Sequence, residues 1–381
     1  FEMRTYRLCQ RVLMFHHFKD DLAADAVLVK STQLHYSKDV HMAQLVQVEH
    51  KSHDGAQAAS MPPLSFTYSQ AEVSNQLHSV DHAMLDNLPN GLATSGWQWA
   101  DLYGEGISSL LKMDNEAWYY KPNLGDARWT DNSITAPKPV FGEMQQLDLK
   151  PNAKQTRAAS FYLGDVDSDS QSELVIHAPG INGYYSYTDG KWQNFQAFGN
   201  MPNVDMSHPD VKQIDLSGDG LGDLLISRGN YFELYLSAGK EGYKGYRKVD
   251  MGHNEDMAPV VLFSNAEHSV YLTDMTGDGL SDIVRITHNS VCYWPNLGYG
   301  RFGEKVLMAN PPLLDSPDHF NPSRVLLADV DGTGTTDIIY LDALKVVYFK
   351  NQAGNSWSEA FNISAFPAID NLSQVSVTDL M

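Results

Sequence analysis

Cysteine is nearly missing from these 381 residues: Cys9 and Cys292 cannot build a disulfide framework. Both are expected to be small, buried, apolar residues. No apolar run approaches the about 18 to 20 residues of a membrane span, so direct membrane insertion is not expected. Charged residues are few, at 19%, and basic ones fewer still. The 27 Lys and Arg against 47 Asp and Glu leave a formal net charge of −20. Such a chain is a poor partner for a nucleic-acid backbone or an anionic membrane. It suits cations, secretion, or long-range steering toward a basic partner rim. Catalytic signatures are missing as well, with neither HExxH nor GxSxG. His16 and His17 are adjacent, so on a strand they point to opposite faces and cannot share one metal. His35, His41, His50, His53, His78 and His82 have no ligand spacing. There is no signal peptide and no initiator Met, and both ends read as strands, so a fragment of a longer protein is expected.

What is abundant is aromatic side chains, 19 Tyr, 15 Phe and 7 Trp, which favour strands over surface helices. An acidic box also recurs: DLYGEGISSLL from Asp101, DVDSDSQSELVI from Asp165, DLSGDGLGDLLI from Asp215, DMTGDGLSDIVRI from Asp274 and DVDGTGTTDIIY from Asp329. A sixth begins at Asp379. A short apolar segment precedes each box, and an aromatic strand with a Gly turn follows. The box Asp and that Gly (Gly125, Gly190, Gly239, Gly298, Gly354) stand 24 or 25 residues apart in every copy, while the connections to the next box range from 25 to 40. A fixed inner unit with elastic surface connections is the mark of a repeat array.

With a fourth strand in the loose segment, for example YRKVDM or SEAFNI, each unit is a four-stranded blade. The expected fold is all-β, a six-bladed β-propeller in one domain over 1–381, with a seven-bladed ring as the alternative. Residues 1–70 would supply most of a closing blade, 71–96 a polar linker with a helical turn, 97–371 the five box-containing blades, and 372–381 the innermost strand that clips the ring shut. The recurrent Tyr119, Tyr185, Tyr235, Tyr293 and Tyr348, with Trp97 and Trp99, are expected in the core between blades.

The pattern D-x-D-x-D-G-x-x-D sets oxygens at positions 1, 3, 5 and 9, with Gly at 6 for the turn. Calcium accepts such irregular oxygen cages. The candidate ligands are Asp165, Asp167, Asp169 and Glu173; Asp215, Ser217, Asp219 and Asp223; Asp274, Thr276, Asp278 and Asp282; Asp329, Asp331, Thr333 and Asp337. Asp101, Tyr103, Glu105 and Ser109 make a poor site. Four carboxylates in the second copy demand a cation, N–H donors or protons, because each pair about 4 Å apart repels by about 1 kcal/mol in water and about 4 at an effective dielectric of 20. The competing reading is a metal-free turn in which Asp and Ser accept backbone N–H groups. No cofactor is required on that reading. A phosphate cradle is not expected, since these loops are acidic and lead into strands.

The stretches MRTYRLCQRVLMFHHF, WADLYGEGISSLLKMDNEAWYYKPNLG and CYWPNLGYGRFG, together with the boxes, resemble the B component of bacterial insecticidal Tc toxin complexes, part of which is shared with the SpvB virulence proteins. The boxes alone say only FG-GAP or VCBS-type propeller. The resemblance implies a secreted, non-enzymatic propeller that docks on the pore-forming A component. It would gate the passage of an unfolded toxic polypeptide out of a cocoon formed by the rest of the B subunit and the C subunit. Alternatives are a calcium-dependent adhesion or glycan-binding propeller and an enzyme with its site in the central funnel.

Overall fold

The computed structural model describes residues 7–37, 43–68, 96–151, 160–264, 269–342, 345–363 and 375–380, apart from 23, 115, 126–128, 131–132, 135–139 and 149, with isolated positions between 73 and 88 and Leu372. Most of the 71–96 connection lies outside the described residues, and its described part includes a single 3-10 turn at His82–Met84.

Five antiparallel four-stranded sheets follow one another along the chain. The first unit has strands Trp97–Ala100, Ser109–Met113, Trp118–Lys121 and Gln145–Gln146, and the second has Ser160–Gly164, Glu173–Ala178, Ile181–Tyr185 and Gln196–Ala197. The third has Val211–Ile214, Asp223–Arg228, Tyr231–Ser237 and Tyr243–Asp250. The fourth has Ser269–Thr273, Asp282–Thr287, Ser290–Trp294 and Val306–Leu307, and the fifth Val325–Ala328, Asp337–Leu341, Val346–Phe349 and Phe361–Ile363. In every unit the strands pair in chain order, with the box as the turn between the first two. The fourth strand falls in the loose segment, as its elastic length predicts.

The second strands read as continuous apolar runs, DLLIS or DIVRI, because both of their faces are covered. What covers them is the neighbouring unit. One apolar cluster joins the first and second units through Leu111, Trp118, Leu174 and Trp192. Another joins the third and fourth through Leu216, Phe232, Ile283 and Trp294, and a third joins the fourth and fifth through Val284, Tyr293, Ile338 and Trp357. Each large side chain buried in this way contributes about 1.5–3 kcal/mol. Tyr293 lies in this buried layer, as expected of the recurrent aromatics, and Tyr348 is buried as well but stacks on Phe361 of its own unit. Tyr119, Tyr185 and Tyr235 are only partly covered. The junction of the second and third units differs, being lined by Tyr162, Gln213 and Tyr243 around a cleft of about 230 Å³. Gln213 Nε2 donates to the Tyr243 hydroxyl, and burial pushes the Tyr162 phenol up to about 12.

The N-terminal strands depart from expectation. Arg11–His16, Val27–Tyr36, Leu45–Asp54, Gln57–Ser60 and Leu64–Ser65 pair only with one another, in a separate five-stranded sheet. Residues 375–380 form no strand and do not join it. Among the described residues, these two parts do not join as one blade. The reason is visible in the burial: Ser31 is the only described residue of that sheet that is buried, so it carries no core that could seat a strand from the other end. Cys9 is exposed there, against expectation, whereas Cys292 is buried.

Residues 375–380 instead lie on the first unit. Asn123 Nδ2 donates to the Leu380 carbonyl at 2.8 Å, and Thr378 and Ser108 hydroxyls meet at 3.2 Å. The fourth box meets the fifth unit through the corresponding residues: Asn351 Nδ2 donates to the Met275 carbonyl at 2.9 Å, and the Thr273 and Thr336 hydroxyls meet at 2.6 Å. The start of the sixth box thus occupies, against the first unit, the place the fourth box holds against the fifth unit.

Candidate functional site

The boxes are a repeated polar feature, and in each the backbone folds around the position-1 carboxylate. Asp101, Asp165, Asp215, Asp274 and Asp329 each accept the N–H of position 6 on Oδ2, at 2.6 to 2.8 Å. On Oδ1 they accept one or two N–H groups from positions 3 to 5. These are Asx-type turns that satisfy the loop's own donors. The position-6 residues all have positive φ, at Gly for four loops and at Ser170 (φ 70) for the second. Asp169, Asp219 and Asp278 at position 5 each take the N–H two residues on.

Position 9 is the deepest. Asp223, Asp282 and Asp337 are wholly buried at the start of the second strand. One oxygen of each accepts the N–H of position 2, from Leu216, Met275 and Val330, at 3.0 Å. The other accepts the N–H of the third-strand end, from Ser237 at 2.6 Å, Asn296 at 2.8 Å and Asn351 at 2.7 Å. Each carboxylate thereby staples the box to two strands. Burial, reinforced by the position-1 and position-5 acids of the same loops in the third and fourth units, raises Asp223 to about 6 and Asp282 to about 7 against the pull of these N–H groups. Asp337 is raised to about 6, again chiefly by burial. In the first unit Ser109 Oγ takes the place of the carboxylate and accepts the Asn123 N–H at 2.9 Å.

Among the described residues, three acids come within mutual reach of one ion in two loops: Asp165, Asp167 and Asp169, and Asp329, Asp331 and Asp337. The two differ in charge. In the second loop the Lys240 ammonium, from the third unit, lies 2.5 Å from Asp167, 3.2 Å from Glu173 and 3.6 Å from Asp169. Burial opposes that charge, but the bonds to Asp167 and Glu173 outweigh it and hold Lys240 above the ordinary lysine range. The ammonium of the next unit supplies positive charge to these carboxylates and competes there with any divalent ion. In the fifth loop Lys350 reaches only Asp331 Oδ2, at 3.2 Å, and Asp331 Oδ1 is buried without a hydrogen-bond partner. The donor set there fits a hard cation. Asp215, Ser217, Asp219 and Asp223, and likewise Asp274, Thr276, Asp278 and Asp282, do not draw three acids together.

The sequence reading missed Lys240, Lys350 and the Asn residues behind the boxes. Asn123, Asn296 and Asn351 each donate Nδ2 to the carbonyl of position 8 of their own box. The available signal was the Asn recurring shortly before the turn Gly in YYKPNLG, CYWPNLG and YFKNQAG.

No protein-family model matches the sequence. A stretch of 55 residues, 14% of this chain and 9% of the other, is 40% identical to the mono(ADP-ribosyl)transferase SpvB of Salmonella typhimurium. Among solved structures, the Photorhabdus luminescens Tc holotoxin pore contains a chain 30% identical over 98% of this one, with a TM-score of 0.79. TcdB2–TccC3 lacking its hypervariable C-terminal region is also 30% identical, over 96% of this chain, with a TM-score of 0.60. This chain spans 17% of the length of either. A lectin of Agrocybe aegerita shares the fold alone, at 15% identity over 70% of this chain and 65% of its own, with a TM-score of 0.50. The resemblance to the Tc toxin B component therefore holds along nearly the whole chain.

Proposed function

We propose, from the likeness of this chain to the B component of Tc toxins along 98% of its length, that it is the non-enzymatic docking and gating propeller of a toxin-translocation complex. The observation that carries this reading is the difference between two similarities. At equal identity, the fold is nearer to a chain of the assembled holotoxin pore, at 0.79, than to TcdB2–TccC3, at 0.60. A segment that differs between an assembled pore and a complex without it is what a docking gate requires.

The ring supports the same reading. A sixth unit between the fifth and the first accounts for the sixth-box segment lying on Asn123 and Ser108 as the fourth box lies on Asn351 and Thr336. On this reading the ring has six blades. In a ring of blades the first strands would line the passage, and that of the fourth unit, Ser269–Thr273, is half-exposed along its length, as suits an open bore. No first strand carries a His or an acid, which argues against chemistry in the funnel. The N-terminal sheet, with Val12, Leu13, Met14 and Phe15 all exposed, is the part the cocoon-forming remainder of the B subunit and the C subunit would cover. The protein works outside the bacterium that makes it. Its partner is the pore-forming A component. The full-length protein should bind an immobilised A component of a Tc toxin with nanomolar-range affinity and should not bind arrayed glycans. Glycan binding without A-component binding would replace this reading with adhesion.

Calcium is favoured in one loop by one observation, the partnerless buried Asp331 Oδ1 beside Asp329 and Asp337. There an ion would brace the blade. Calcium at about a hundredfold its Kd should add about 2.7 kcal/mol of stability. Asp331→Asn should remove that increment in a melting titration. An increment that survives the substitution would locate the ion elsewhere, and no increment in the unsubstituted protein would mean that no ion binds.

A further inference from the structure

The outer strands of the five units are unequal. They are two residues long at Gln145–Gln146, Gln196–Ala197 and Val306–Leu307, three at Phe361–Ile363, and eight at Tyr243–Asp250. Very short outer strands are one way a sheet avoids pairing with other chains, and the third unit alone forgoes it. Tyr243 is engaged, its N–H donating to the Asn200 carbonyl, but Lys244 to Lys248 are all exposed. This run is basic. Lys244, Arg247 and Lys248 lie within five residues of a chain whose net charge is −20.

Lysines on an edge strand are also a common guard against pairing. Two of these cations are held down on the flanks, however. Arg247 donates to the Tyr299 carbonyl at 3.1 Å, and the Lys248 ammonium sits 4.2 Å from the centre of the Tyr231 ring. Beside the edge opens a cleft of about 120 Å³ lined by Leu234, Leu236, Gly245, Tyr246, Arg247 and Tyr299. Tyr246 and Tyr299 are 58% and 50% exposed, and a Cβ at Gly245 would meet nothing within 4 Å.

We propose that residues 244–250 form a docking edge for an extended, acidic strand of a partner protein, which pairs with the backbone and seats one apolar side chain in the Tyr246–Tyr299 cleft. The main chain supplies affinity in such strand addition, and complementary charge supplies the encounter rate and the choice of partner. The inference is independent of the toxin reading, since it needs only this edge.

The test uses the full-length protein and a fluorescent peptide of alternating Glu and Val, matched in length to the strand. This peptide should bind, and more weakly as salt rises. A copy N-methylated on alternate residues keeps the charge but cannot pair on one edge, and it should bind at least about tenfold more weakly, a difference of about 1.4 kcal/mol. The triple variant K244E/R247E/K248E gives up the Arg247–Tyr299 and Lys248–Tyr231 contacts, and should lose binding while keeping the wild-type circular dichroism spectrum and a cooperative melt. Equal binding of the N-methylated peptide would reduce the edge to a charged patch and overturn the proposal. Failure of the Glu–Val peptide to bind the wild-type protein would overturn it too, whatever the variant does.

Discussion

Replacing Asp282 with alanine should destabilise the fold by about 2–4 kcal/mol, because two buried N–H groups, of Met275 and Asn296, lose their acceptor and each costs about 1–3 kcal/mol. The sum is partly offset because a carboxylate no longer has to be buried. Chemical denaturation at pH 7 measures the loss. A change under about 1 kcal/mol would mean that the box holds without its position-9 staple. The pH dependence carries its own sign. Burial holds the Asp282 carboxyl at about 7 in the fold, against about 3.9 in an unfolded chain. The native state therefore binds the extra proton between these values. The contribution of this group to stability is full below about pH 4 and is lost as pH rises toward 7, at up to about 1.4 kcal/mol per pH unit. Asp282→Asn should flatten that slope. Glu255 works in the opposite sense and in another window. Arg285 and Lys305 hold it down to about 2, so its contribution stands above about pH 4.3 and fades on acidification toward 2. Glu255→Gln should remove the acid limb, so that it and Asp282→Asn separate the two limbs of a stability–pH curve.

Lys240→Met should cost about 2–3 kcal/mol and turn the second loop from calcium-blind to calcium-responsive. The lysine serves three carboxylates, and Glu173 among them is nearly inaccessible, its side chain 3% exposed. Removing one partner of a buried pair costs about 3–5 kcal/mol. The figure here is discounted because Asp167 and Asp169 remain partly in water. Without the ammonium, Asp165, Asp167 and Asp169 keep their oxygens within reach of one ion. Measured in an Asp331→Asn background, so that the fifth loop is silent, calcium should raise the melting temperature of the Lys240→Met protein and leave that of its Lys240 parent unmoved. A calcium response in the parent would show that the lysine does not occupy the site.

The boxes also mark where sequence reasoning reached its limit. The acidic box identified the turn between first and second strands in all five units, although the second carries Ser where the others carry Gly, and the 24 to 25 residue spacing to the turn Gly delimited the hairpin that follows. Those are short-range consequences of the chain itself: a carboxylate collects the N–H groups of the next five residues, and a Gly accepts positive φ. The same pattern spoke for calcium most strongly in the second loop, where Lys240 now stands. Nothing local to Asp165–Glu173 could announce a lysine that arrives from the next unit.

The closing blade failed for a related reason. The strands of 1–70 were legible, but whether a sheet has a core depends on what packs on its faces, and on the described residues of this one only Ser31 is buried. By itself, then, the amino-acid order determined the repeat, the strand succession and the loop conformation, because each rests on bonds between residues close along the chain. The tertiary structure alone decided which acidic loop is already neutralised, which keeps an unpartnered oxygen, and which outer edge stays long and bare. Those outcomes depend on which unit lies against which, and the Coulomb and burial terms that choose among them act through space.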